Sequence, residues 1–93
     1  MLSHDAVDLM KVLPGERDKE IVRLGMIAEL DAVSLYEQLA AATDNKQIKA
    51  VMLDIAKEEK THMGEFQAML LKLDTEQKEE LVKGQKEVDE LTQ

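Results

Sequence analysis

The stretch Ile48 to Leu73, IKAVMLDIAKEEKTHMGEFQAMLLKL, decides the fold. Along it, Ile48, Met52, Ile55, Glu59, His62, Phe66, Met69 and Leu73 are separated by alternating steps of four and three, the spacing of side chains on one face of an α-helix. Six of the eight are apolar, and the two adjacent exceptions are an acid and an imidazole. A carboxylate is strongly disfavoured in such a setting unless it is paired or bound to a cation. Glu-x-x-His also brings an oxygen donor and a nitrogen donor side by side, one turn apart. The misplaced pair predicts a metal site inside a helical bundle.

On the N-terminal side of this stretch, Thr43-Asp44-Asn45 interrupts the pattern, and Asp44 with Gln47 resembles a capping box that starts the helix. Before the interruption, from about Glu16 to Thr43, Ile21, Val22, Leu24, Ile27, Leu30, Val33, Tyr36, Leu39 and Ala40 recur with helical period. Glu16, Asp18 and Glu20 cluster in its opening turns, where acids suit the helix dipole. Residues 1–14 have no clear period and end at Pro14-Gly15, a helix-start or turn signal, so 1–15 reads as a flexible segment and 16–93 as one helical domain. On the C-terminal side, Asp74 with Gln77 repeats the capping signal, and 75–91 forms a weaker amphipathic helix (Leu81, Val82, Val88, Leu91) with Gly84 at its middle.

Two long helices joined by a very short turn fold back as an antiparallel hairpin. Such a hairpin has one apolar face and nothing of its own to cover it. The short third helix can cover part, and the larger share is expected to fall to a second chain, which makes the protein an obligate oligomer. The expected fold is all-α: a two-helix hairpin plus a short C-terminal helix, dimerising into a four-helix bundle.

Composition narrows the chemistry. Ninety-three residues make one small domain, 34% of them charged, with Tyr36 and Phe66 as the two aromatics. Without cysteine there is no disulfide scaffold, thiolate nucleophile, zinc finger, iron–sulfur cluster or rubredoxin-type iron site. A formal charge of −8 argues against a nucleic-acid partner and favours cations. His4, Asp5 and Asp8 argue against a signal peptide, and no apolar run reaches the roughly 20 residues of a membrane span. A cytoplasmic protein is expected.

The first helix carries its own misfit. Val22, Gly25, Glu29, Ala32, Tyr36 and Leu39 share a stripe that Glu29 interrupts. Glu29 lies fifteen residues before Asp44 and Glu59 fifteen after it, so equal rises put the two carboxylates at one height in the hairpin. If the stripes face each other, Glu29, Glu59 and His62 converge. This set resembles half of a carboxylate-bridged di-iron site, in which two helices each give a Glu and two others each give Glu-x-x-His. Two chains about a two-fold axis would supply four carboxylates, balancing two ferrous ions, and two imidazoles. Such donors suit Fe(II), and zinc or manganese could also bind.

Each of these residues also has a plain reading. A lone Glu in an apolar stripe is usually an edge residue reaching water, and a lone helical His is more often hydrogen-bonded than metal-bound. Three ligand types at one height are harder to dismiss. Asp54, Lys57, Glu58 and Lys60 read as a solvated face, Met26, Met52, Met63 and Met69 as packing residues, and His4 as incidental. Tyr36, two turns toward the hinge from Glu29, is either a core residue with a satisfied hydroxyl or a partner of the metal site.

Ile27-Ala28-Glu29-Leu30-Asp31-Ala32-Val33-Ser34-Leu35-Tyr36-Glu37-Gln38, followed by Glu58-Glu59-Lys60-Thr61-His62, resembles the encapsulated ferritins, the short ferritin-like proteins found inside encapsulin nanocompartments. The similarity runs from about Glu20 to Leu91. The resemblance implies iron ligation by Glu29, Glu59 and His62 across a two-fold interface, with Tyr36 beside the iron. It implies an annular decamer of five dimers, an encapsulin shell partner, and oxidation of Fe(II) by dioxygen, the shell holding the mineral. Some members carry an acid just before the first ligand, where Ala28 stands here, leaving Asp31 as the remaining acid of a reduced metal-access site. Leu35 replaces a tryptophan of some members. No encapsulin-targeting tail is evident after Leu91, which fits a domain of a shell fusion or a truncated cargo protein.

The expectation is therefore a ferroxidase with a di-iron centre shared between two subunits, feeding storage inside a nanocompartment. The rivals are a rubrerythrin-like peroxide reductase, which would need a separate electron donor, and a non-catalytic helical oligomerisation module with a structural metal.

Overall fold

Pro14 opens the first helix, where its missing N–H is one that a helix leaves unbonded in its first turn. The computed structural model describes residue 11 and residues 13–93, which form three helices and no strand. Helix α1 spans Pro14–Ala42, α2 Lys46–Leu73 and α3 Thr75–Leu91. The hairpin and the third helix thus stand where the periodicity put them. α1 begins two residues before the predicted Glu16, because Pro14 is preorganised for the first helical position. Residues 1–10 and 12, which carry most of the expected flexible segment and His4, lie outside the described residues.

One cap differs from expectation. Asn45, not Asp44, starts α2: its Oδ1 accepts from the N–H groups of Gln47 at 2.9 Å and Ile48 at 3.0 Å. These are the second and third helical residues, the pair an N-cap side chain reaches. Thr43 Oγ1 in turn accepts from the Asn45 N–H at 3.1 Å, so the three-residue turn is tied at both ends. Asp74 caps α3 as predicted, its Oδ1 accepting from the Gln77 N–H at 3.0 Å.

The hairpin is the body of the molecule and α3 is an arm. Among the described residues α3 packs against α2 only, and no residue in it is buried. Asp74 holds the corner: besides capping α3, its Oδ2 accepts from Arg23 Nη2 of α1 at 3.0 Å, and its N–H donates to the Leu70 carbonyl at 2.9 Å. The Gln77 N–H, helped by the nearby Lys19 and Arg23 charges, holds the Asp74 carboxyl below the usual carboxylate range. Arg23 is anchored by Glu20 at 2.8 Å, which raises the guanidinium above its ordinary value.

Among the described residues the buried apolar side chains are Val22, Ala40, Ala56 and Leu70. Four residues make a very small core for a chain of this length. The stripe that read as a core face is largely uncovered in the single chain, with Ile48, Met69 and Leu73 exposed on α2 and Leu39 on α1. Among the described residues no helix is long and apolar enough to cross a membrane.

Candidate metal centre

Glu29 reaches the centre from α1, and Glu59 and His62 reach it from α2. The equal residue counts on either side of the turn do place them level: one donor atom from each lies within 4.8 Å of the others. His62 Nδ1 stands 3.4 Å from Glu59 Oε2 and 3.6 Å from Glu29 Oε2. Neither separation is a proper hydrogen bond. The carboxylates are mostly buried, with side chains 19% and 20% exposed, while the imidazole is 46% exposed and forms the open side.

Two observations test whether a cation fits. Among the described residues Glu29 Oε2 is buried and has no hydrogen-bond partner, a costly state for a polar oxygen. The donor spacing is the second observation. Ligands about 2.0–2.2 Å from one ion and roughly 90–120° apart around it lie about 2.8–3.8 Å from each other, and the His62–Glu59 and His62–Glu29 separations of 3.4 and 3.6 Å fall in that range. Two hard oxygens with one imidazole suit Fe(II), Mn(II) or Zn(II). Three donors do not complete six-coordinate iron, so positions remain for further ligands or for a reacting molecule.

The packing beneath the donors is close. Gly25, one turn before Glu29, lies against the Phe66 ring, one turn after His62. On the solvent side, Lys60 Nζ bridges the hairpin to Glu37 of α1 at 3.1 Å.

The sequence and the fold have known counterparts. The rubrerythrin family model matches residues 20–92. A crystal structure of the encapsulated ferritin domain from Pyrococcus furiosus superposes with a TM-score of 0.84 at 48% sequence identity, covering 95% of this chain and 90% of that one. The chain belongs to the encapsulated ferritins, within the rubrerythrin family. Two curated relatives of this encapsulated ferritin agree. It is 55% identical over 73 residues to a ferritin-like-encapsulin shell fusion protein of Pyrococcus furiosus, and 41% identical over 56 residues to an encapsulin nanocompartment cargo protein of Myxococcus xanthus. The matches cover 78% and 60% of the encapsulated ferritin chain, and 21% and 43% of those relatives.

The remaining sequence candidates sit apart from the donor cluster. Tyr36 is partly buried on α1, seven residues from Glu29, or about 10.5 Å along the axis. Its side chain leans toward the helix N-terminus and hence toward the donors. Asp31 is partly buried and is not in the cluster, since two residues place it about 200° around α1 from Glu29. The sequence reading of this encapsulated ferritin did not single out the Gly25–Phe66 contact or the Arg23–Asp74 corner. A glycine inside a long helix, on the stripe of a ligand, was the available signal for the first. Nothing in the periodicity signals the second.

Proposed function

We propose that this encapsulated ferritin is a ferroxidase: two copies build a di-iron centre from Glu29, Glu59 and His62 of each, and Fe(II) is oxidised there by dioxygen. The observation that carries this reading is the convergence of three donors, with Glu29 Oε2 buried and without a hydrogen-bond partner among the described residues. Glu29, Glu59 and His62 would hold Fe(II), which would supply the electrons that reduce dioxygen. The chain's part is electrostatic and geometric. Glu29 and Glu59 offset the cation charge, His62 supplies a nitrogen donor, and the pair of copies brings four carboxylates to two Fe(II).

The uncovered stripe supports the dimer. Ile48, Met69 and Leu73 lie on the same face as Glu59 and His62 and are exposed in the single chain, so one apolar contact would both bury them and complete the ligand set. In this reading Tyr36 supplies a hydroxyl on the hinge side of the iron, two turns along α1 from Glu29, and Asp31, outside the donor cluster, is an acid of a reduced metal-access site. A ring of five such dimers fits the family, and the exposed residues of α3 (Leu81, Val82, Val88, Leu91) are available for contacts between dimers. A hairpin encloses no mineral cavity, so oxidised iron passes to an encapsulin shell, the partner indicated by the names of the relatives.

Stopped-flow oxidation of Fe(II) under dioxygen tests the reading. Glu29→Ala, Glu59→Ala and His62→Ala should each reduce the rate to background with helicity retained by circular dichroism. Unchanged rates would leave the oligomerisation-module reading instead. The rubrerythrin family match makes peroxide the rival oxidant, and a rate with peroxide far above that with dioxygen would favour it. The chain has no cysteine for a rubredoxin site, so that route needs an external electron donor.

A further inference from the structure

Three of the four glycines, Gly15, Gly64 and Gly84, have open space where a side chain would begin, and Gly25 does not. A Cβ on Gly25 would stand 2.7 Å from Phe66 Cε1 and 2.8 Å from Cδ1 and Cζ. Carbon atoms pack at about 3.5–4.0 Å, so the ring fills the volume of the missing side chain. No described glycine has a positive φ, so Gly25 is not there for conformational freedom. It is there for space.

The position of this contact is informative. Gly25 precedes Glu29 by one turn on α1, and Phe66 follows His62 by one turn on α2. Helical side chains lean toward the N-terminus of their own helix. In an antiparallel hairpin Glu29 therefore leans toward the level of Gly25, and the Phe66 ring leans toward the level of the donors. The ring is a spacer wedged between α1 and α2 beside the metal centre.

We propose that the seating of Phe66 on Gly25 sets the separation of α1 and α2 at the donors, which makes Gly25 and Phe66 positioning residues for the Glu29, Glu59 and His62 cluster. The inference rests on the metal-binding reading above. A methyl group on Gly25 moves the ring by about 0.7 Å to restore ordinary contact, roughly a third of a metal–ligand bond length. A smaller residue at 66 has the opposite effect and lets the helices draw together. Overfilling and underfilling both spoil the spacing, and combining them restores it.

Anaerobic titration of the full apo chain with Co(II), read by its visible ligand-field absorption, tests this directly. Gly25→Ala and Phe66→Leu should each weaken Co(II) binding about tenfold, or about 1.4 kcal/mol, and alter the band shape. The double variant Gly25→Ala/Phe66→Leu should recover to within about threefold of wild type, a non-additivity that a general loss of stability does not give. Gly64→Ala, two residues from His62 with open space at its Cβ, should bind as wild type does. Wild-type affinity in Gly25→Ala, or a double variant weaker than either single, overturns the inference. If Gly25→Ala loses helicity, Phe66→Leu against the double decides: recovery supports the inference and further loss overturns it. A wild-type chain whose Co(II) spectrum is absent, or is unchanged by Glu59→Ala, overturns the metal reading itself. Intact wild-type binding with an unaffected Gly25→Ala overturns this inference alone.

Discussion

Glu29→Gln should make the metal-free protein more stable and the metal-loaded protein less stable. The side chain keeps its shape and loses its charge. In the parent, Glu29 and Glu59 present donor atoms within 4.8 Å of each other, and Glu29 Oε2 is buried without a hydrogen-bond partner. Two like charges at that distance repel by about 0.9–3.5 kcal/mol for effective dielectric constants between 80 and 20. Both carboxylates are about one-fifth exposed, which places the pair between those limits. The amide still has a buried polar atom to satisfy, at a cost of about 1–3 kcal/mol that the substitution does not remove. The expected gain for the apo variant is therefore about 1–2 kcal/mol. Metal reverses the order: at 100 times its Kd, a ligand that binds only the native state stabilises it by about 2.7 kcal/mol. The variant, with one anionic ligand fewer, loses most of that. Urea unfolding at pH 8, above the ordinary imidazole range, with EDTA and then with Fe(II) under nitrogen, gives both numbers. Chain concentration is held fixed because an oligomer's stability depends on it. An apo Glu29→Gln variant no more stable than its parent would refute the claim that an uncompensated carboxylate sits at this site.

Three further outcomes are expected. Asn45→Ala removes the acceptor that holds the Gln47 and Ile48 N–H groups and should cost about 1 kcal/mol in urea unfolding, whereas Asp44→Ala should cost far less. The Asp74 carboxyl is held below the usual carboxylate range, so its cap and its Arg23 bridge are fully present above that range and are lost as pH falls through the lowered value. Hydrogen exchange at Gln77 should therefore stay protected into the acid range where an ordinary carboxylate has already taken up its proton, and Asp74→Asn should keep the cap while abolishing the acid-dependent loss. Tyr36→Phe should leave Co(II) affinity unchanged and slow Fe(II) oxidation severalfold in stopped flow, whereas an unchanged rate would assign the hydroxyl to packing alone.

The hairpin and its donors were legible in the sequence because helices have a fixed rise and period. Glu29 and Glu59 are equidistant from the turn, and a count of residues is enough to place them level. The start of α3 followed from the Asp74–Gln77 spacing, which the structure uses as a cap. The same spacing at Asp44–Gln47 misled, because the adjacent Asn45 offers an equivalent oxygen and is the residue that reaches Gln47 and Ile48. A pattern of residue types cannot separate two neighbouring acceptors when either can cap. Interhelix closeness was not legible either. Gly25 and Phe66 belong to different stripes, and only their contact in space shows why Gly25 accepts the loss of about 1 kcal/mol of helix propensity relative to alanine. The exposure of Ile48, Met69 and Leu73 was foreseeable in kind, since a hairpin cannot cover its own apolar face.

The half-site is the central claim, and native mass spectrometry of the full chain under nitrogen, with and without Fe(II), tests it most directly. The expected result is one iron per chain, bound only in assemblies with an even number of chains and absent from Glu59→Ala. Iron bound stoichiometrically to a lone monomer, or assemblies of odd number carrying a full complement, would contradict a centre completed by two copies.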